Sequence, residues 1–276
     1  MKKIVVPTDL SELSGYALTL AQKFARQSGA EILALTVVPT PADAVFTRDG
    51  ELAEDEDFDL ATLKKEMQKS RERLAGWISQ SGIAATPIVK AGNLTDQILH
   101  CTKKEGIDLV VMGTHGLNGL RELIADSVTE QVVRQSSVPV LSLKCDRSDL
   151  EIKNIVLASK FDAITPRQIG FIKELQQAFG ATIHLLRIVT PSDFKSSRYL
   201  QEHMEAFAAA NGLTNVAHHI WADKDVESGI LHFTQDRGMD MICIGVEKDK
   251  LSKLFQKHVS SALVNHVFYP VLTFKI

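Results

Sequence analysis

An internal repeat constrains this 276-residue chain more than any other feature. IVVPTD at 4–9 returns as IVLASK at 155–160, and SGAEILALTVV at 28–38 returns as FGATIHLLRIV at 179–189, both 151 residues on. EGIDLVVMG at 105–113 returns as RGMDMICIG at 237–245, 132 residues on, and VPVLSL at 138–143 returns as YPVLTF at 269–274, 131 residues on. Four blocks repeated in one order imply duplication of a domain-sized unit. The expected domains are 1–146 and 147–276, joined by the short polar stretch KCDRSDLEI at 144–152. The offset falls by 19 between the second and third blocks, so the first half carries extra residues in its middle. They fall at 39–59, where Pro39, Pro41 and Gly50 accompany eight acids and the single base Arg48. The readings of this segment, whose acidic part is 43–59, are a solvated loop or else a lid or partner-docking loop.

Within each half, short branched apolar runs alternate with helical patterns. IVV, EILALTVV, ATPIV, IDLVVM and VPVLSL are bounded by turn signals and read as strands. Leu13, Ala17, Leu20, Ala21 and Phe24 recur at helical spacing behind Ser11, a capping residue. A second helix spans about 60–80, and a third begins at Asn93. Strands alternating with helices imply βαβ units, and continuous apolar strands suit a parallel sheet covered on both faces. The second half repeats the pattern, with Thr165-Pro166 opening its first helix.

Composition removes several functions. Lys plus Arg number 31 and Asp plus Glu 34, a net charge of −3 with no basic stripe, which argues against a nucleic-acid partner. Cys101, Cys145 and Cys243 are odd in number and lack CxxC spacing, which argues against a disulfide framework or a zinc site and fits a reducing compartment. The apolar start IVV is cut by Pro7 and Asp9, too short for a signal-peptide core, and no run approaches a membrane span. A cytoplasmic protein without a membrane partner is the expectation. Seven of nine histidines lie in the second half; His218 and His219 are adjacent on a strand and point to opposite faces, so no metal site is expected from them. No serine stands in a GxSxG context, and no carboxylate pair suggests hydrolysis, so no catalytic residue is assigned.

An open α/β sheet binds ligands outside the carboxyl ends of its strands. In the first half those ends carry Pro7-Thr8-Asp9, Val37, and Met112-Gly113-Thr114-His115-Gly116 leading to Asp126-Ser127-Val128. Glycines admit close backbone approach, and amides in such a turn or at a helix N-terminus favour anions. Asp9 could accept hydrogen bonds from a ribose or a base edge; Thr8 and Asp9 are also ordinary turn formers after a strand. Ser127-Val128-Thr129-Glu130 matches a capping box, so Ser127 reads either as a cap or as a cap that also meets a ligand.

These residues resemble the universal stress protein family in its tandem form, over nearly the whole length. The likeness is strongest in IVVPTDLSELSGYALTLAQKFA, in LVVMGTHGLNGLRELIADSVTEQVV and in the closing VPVL. The resemblance implies an α/β fold of two doubly wound parallel five-stranded sheets, of adenine-nucleotide alpha-hydrolase-like type. It further implies that the last strands of the halves pair as an intramolecular pseudo-dimer, with room for a homodimer beyond it. The family's nucleotide pattern is glycine, two residues, glycine, nine residues, then glycine and a serine or threonine. Gly113, Gly116 and Ser127 match it, and Asp126 stands where the third glycine belongs. The resemblance places Pro7, Thr8, Asp9, Val37, Met112, Gly113, His115, Gly116, Asp126, Ser127 and Val128 around a bound adenine nucleotide, ATP or a relative, with Mg²⁺ as the expected ion. At about 5 Å the Asp126 carboxylate would repel phosphates by roughly 1–3 kcal/mol, and a bridging divalent cation would reverse that sign.

The second half departs further: Lys160 replaces Asp9, and Val246-Glu247-Lys248 follows Gly245 in place of the second glycine. No nucleotide site of the family type is expected there. Three functions follow in order. The first is a stress-response regulator that binds nucleotide in its first domain, hydrolyses it slowly at most because no P-loop lysine or positioned base is present, and acts through an unidentified protein partner. The second is a scaffold that works without nucleotide. The third is an enzyme on a related fold, which the missing nucleophile disfavours.

Overall fold

The computed structural model describes residues 1–40, 60–114, 128–146, 149–162, 164–246 and 268–275. The acidic segment 43–59 lies outside them. The first repeat contains β1 (Lys3–Pro7), α1 (Glu12–Ser28), β2 (Glu31–Val38), α2 (Leu60–Ser81), β3 (Thr86–Ala91), α3 (Leu94–Lys104), β4 (Leu109–Gly113), α4 (Val128–Gln135) and β5 (Val140–Leu143). The second contains β6 (Asn154–Ala158), α5 (Pro166–Phe179), β7 (Thr182–Val189), α6 (Ser197–Ala210), β8 (Val216–Ala222), α7 (Val226–Asp236), β9 (Met241–Val246) and β10 (Val271–Lys275).

Strand order is β3-β2-β1-β4-β5 in the first repeat and β8-β7-β6-β9-β10 in the second, the same order twice. β1 pairs in parallel with β2 and β4, β2 with β3, β6 with β7 and β9, β7 with β8, and β9 with β10. The fold is thus the doubly wound parallel α/β type that the alternation predicts. Ile4, Val5, Val6 and Ile155, Val156, Leu157 are fully buried, as expected of strands covered by helices on both faces. By contact, the chain forms two compact units. One is Met1–Val140 with Cys145–Ser148, and the other is Leu141–Lys144 with Asp149–Ile276. The end of β5 therefore belongs to the second unit, where the Ser142 hydroxyl donates to the Val271 carbonyl at 3.2 Å.

Local chemistry repeats along with topology. Ser11 caps α1, its hydroxyl accepting from the Ser14 N–H at 3.3 Å, and Gly29 closes it in the left-handed region with its N–H on the Ala25 carbonyl. α5 starts at Pro166 behind Thr165, whose N–H donates to the Gln168 side chain, and ends at left-handed Gly180, the residue matched to Gly29. Asp108 accepts the Lys3 N–H, and its counterpart Asp240 accepts those of Lys153 and Asn154. Among the described residues no helix is long and apolar enough to cross a membrane.

Candidate functional site

In each repeat the strand order reverses between the first and fourth strands, and the crevice outside their carboxyl ends is where such a sheet takes ligands. In the first repeat this edge is built from three turns. The Thr8 N–H donates to the Leu35 carbonyl at 2.8 Å, and the Thr36 hydroxyl donates to the Thr8 carbonyl at 3.1 Å, so the ends of β1 and β2 are stitched together. The Thr8 hydroxyl accepts the Leu10 N–H at 2.9 Å, closing a tight turn. Leu10 sits at φ 66°, in the left-handed region that costs a non-glycine residue roughly 1–2 kcal/mol. Its side chain packs on the apolar cluster of Ala34, Leu74 and Val89 under α2, which offsets that cost.

Asp9 faces α1. One carboxylate oxygen accepts the Ser14 hydroxyl at 2.7 Å and the Ser11 N–H at 3.0 Å. Asp9 therefore organises the entry to α1, which is the turn-forming role open to it from sequence. Gly113, half-buried at the end of β4, has a packing constraint as well: a Cβ there would lie 2.6 Å from Leu13 Cγ. Its carbonyl accepts the Thr129 hydroxyl from the first turn of α4 at 3.1 Å. Hence Pro7, Thr8, Asp9 and Gly113 come together around the N-terminus of α1, and Val128 precedes Thr129, which bonds Gly113 from α4. Met112 is buried in the core at 5% exposure and offers only its backbone to the edge. Val37 is half-buried on β2, paired with Lys90. His115, Gly116, Asp126 and Ser127 lie outside the described residues.

Ser14, Leu13, Thr36 and Thr129 belong to this edge and were missed in the sequence. Ser14 had a signal, three residues beyond the capping Ser11; Thr36 and Thr129 act on residues 28 and 16 positions away, which local pattern does not reveal.

The second repeat uses the same backbone with different charges. The Ser159 N–H donates to the Leu186 carbonyl, and the Ser159 hydroxyl accepts the Phe161 N–H at 2.9 Å, with Phe161 at φ 66°. The Phe161 ring packs on Phe207 of α6 with centroids 5.0 Å apart. Lys160 stands at the Asp9 position and pairs with Asp193 at 2.9 Å; Arg187, at the Thr36 position, pairs with the same oxygen at 2.7 Å. The hydrogen bond from Arg187, then that from Lys160, holds the Asp193 carboxyl at about 2, well below its usual value. The residues after Val246 that replace the second glycine, 247–267, lie outside the described residues.

Elsewhere, His219 meets His184 on the neighbouring strand, Nε2 to Nδ1 at 3.0 Å, and His184 Nε2 lies 3.2 Å from the Asn154 side-chain oxygen. Burial, then the neighbouring histidine, pushes His219 down to about 4. Among the described residues no group of three or more His, Cys, Asp or Glu is placed to hold a metal ion. A groove of about 410 Å³ lined by Lys173, Gln176, Gly180, Gly212, Thr214 and Asn215 lies at the amino ends of β7 and β8, away from the ligand edge; Gln176 closes one wall by donating to the carbonyls of Thr214 and Asn215.

The model of the universal stress protein family matches this chain twice, at 1–144 and 151–275. The universal stress protein MJ0531 of Methanocaldococcus jannaschii is 31% identical over 149 residues, covering 52% of this chain and 82% of that protein. YxiE of Bacillus subtilis, another universal stress protein, is 30% identical over 145 residues, covering 51% of this chain and 98% of that protein. Each relative thus corresponds to about half of the present chain. A crystal structure of a universal stress protein from Archaeoglobus fulgidus superposes over 99% of this chain and 96% of its own with a TM-score of 0.72 at 22% identity, which speaks to the fold. The chain belongs to the universal stress protein family and carries two such domains in tandem.

Proposed function

We propose that this protein is a stress-response regulator whose first domain, 1–146, binds an adenine nucleotide, with ATP the preferred candidate and Mg²⁺ its accompanying ion. The second domain, 147–276, is its nucleotide-free partner. The observation that carries this reading is the contrast between the two edges. In the first repeat, the Asp9 carboxylate and Gly113 meet the N-terminal turn of α1. In the second, Lys160 and Arg187 converge on Asp193 in the same place. Asp9, which accepts from Ser11 and Ser14, is a carboxylate, the acceptor chemistry that a ribose hydroxyl requires.

Binding, not turnover, is the proposed role. None of the described residues gathered at the N-terminus of α1, namely Pro7, Thr8, Asp9 and Gly113, is a lysine or arginine that could stabilise a departing phosphoryl group. Cytoplasmic placement completes the proposal.

A thermal-shift series with ATP, with and without Mg²⁺, tests it. Nucleotide at 100 times its dissociation constant adds about 2.7 kcal/mol of stability. A shift that is lost in Asp9→Ala supports the reading.

One observation favours the nucleotide-free scaffold as a second reading. Both Asp9 and Gly113 have structural duties that would keep them in place without a ligand. No shift at millimolar ATP, in either buffer, would decide for the scaffold.

A further inference from the structure

At the positions of Lys160 and Arg187 the first repeat carries Asp9 and Thr36. Arg187 lies on β7 with only 6% of its surface exposed. A guanidinium stays charged at any pH a protein meets, so its burial demands partners. Two are present: the Ile188 carbonyl at 2.7 Å from one terminal nitrogen, and Asp193 at 2.7 Å from the other. Lys160, at the end of β6, reaches the same Asp193 oxygen at 2.9 Å from the open side. Asp193 itself is delivered by a tight turn after β7, its N–H on the Thr190 carbonyl at 3.0 Å. Two cations thus face one carboxylate at the edge where this fold takes its ligands, and the local charge is positive once that carboxylate is removed.

We propose that the carboxyl edge of the second sheet is an oxyanion cradle formed by Arg187 and Lys160 and closed by the chain's own Asp193 carboxylate, so that a small carboxylate or phosphate anion competes with Asp193 for this place. The second domain is then silent toward nucleotide because its charge pattern is inverted and self-occupied, and its ligand class is an oxyanion rather than a ribose. Asp193 keeps its charge down to about pH 2, so protonation does not open the cradle; a competing anion must.

The test is chemical rescue of the excised carboxylate in the full chain. Asp193→Gly is melted at matched ionic strength in chloride, in formate and in inorganic phosphate, beside the wild type and the double variant Asp193→Gly with Lys160→Met. Comparison with the wild type removes the general stabilisation by excluded salts. The cradle predicts that Asp193→Gly melts lower than wild type in chloride and regains about 2–4 °C in formate, saturably, beyond any wild-type response. Phosphate in place of formate distinguishes a site that prefers phosphates from one that prefers carboxylates. The double variant regains less. If Asp193→Gly responds to formate and phosphate as the wild type does, the cradle is refuted. Should that variant fail to fold, Asp193→Asn serves. Its amide leaves both cations uncompensated, so phosphate must raise its melting temperature more than that of wild type, and equal rises refute the proposal.

Discussion

The turn after β1 and the turn after β6 are the same backbone carrying opposite chemistry. Both are closed by a hydroxyl residue, Thr8 or Ser159, that accepts the N–H two residues on. Both then place an apolar residue at φ 66°, Leu10 or Phe161, and pack its side chain, partly buried in Leu10 and buried in Phe161, under the helix that follows the second strand. The residue between them is Asp9 in one copy and Lys160 in the other. The scaffold of a duplicated domain is therefore separable from its ligand chemistry: the hydrogen bonds and the strained residue persist, while the position between them reverses charge. The same separation explains Asp193, which has a role only because Lys160 and Arg187 are both present.

Substitutions at matched positions can break or sharpen this contrast. The largest effect belongs to Phe161. Its truncation to alanine removes a buried aromatic and keeps the left-handed strain, and should cost about 3–5 kcal/mol in denaturant unfolding. Phe161→Gly should cost roughly 1–2 kcal/mol less, because glycine relieves the backbone. Equal losses would show that the positive φ carries no strain.

Next is Gly113→Ala, whose Cβ drives into Leu13 and should cost about 1–3 kcal/mol by the same measurement. Combining it with Leu13→Ala should show a favourable coupling in a double-mutant cycle. Strict additivity would mean that Gly113 is a glycine for reasons other than α1.

Asp9→Ala should cost about 0.5–2 kcal/mol through the lost turn into α1, whereas Lys160→Ala, an exposed pair, should stay within about 1 kcal/mol.

A separate prediction is a pH dependence in the second copy. His219 titrates near 4 in the folded chain and near 6.5 when unfolded, so the unfolded chain takes the proton first. Its contribution is complete above about pH 6.5 and falls away as pH drops toward 4. His219→Gln should flatten the stability profile in that window, with His184, His218, Asp240 and Arg237 left as the charged and titratable surroundings.

Much of this was legible in the residues. The repeat, the alternation of apolar runs with helical spacing, and the caps Ser11, Asn93 and Thr165-Pro166 are local signals, and helices begin at each of those caps. The Asp9-to-Lys160 exchange could be read from alignment of the copies. What sequence did not reveal depends on contacts at long range or on geometry. Arg187 is a lone cation within an apolar run in the sequence, and its partner Asp193, shared with Lys160, comes from a turn that no local pattern marks. Adjacency on a strand sets His219 on the opposite face from His218, but it does not show that His219 meets His184 on the neighbouring strand. Gly113 suggested room for a phosphate, and its tightest neighbour is Leu13.

The most direct measurement of the central claim, that one copy holds nucleotide and the other does not, is binding stoichiometry by equilibrium dialysis with labelled ATP and Mg²⁺. It should be run on the wild type, on Asp9→Lys, which writes the second copy's residue into the first, and on Lys160→Ala, with circular dichroism confirming that each is folded. The expected result is one nucleotide per wild-type chain, none per Asp9→Lys chain, and one per Lys160→Ala chain. Two nucleotides per wild-type chain, or one that survives Asp9→Lys and is lost in Lys160→Ala, would contradict it.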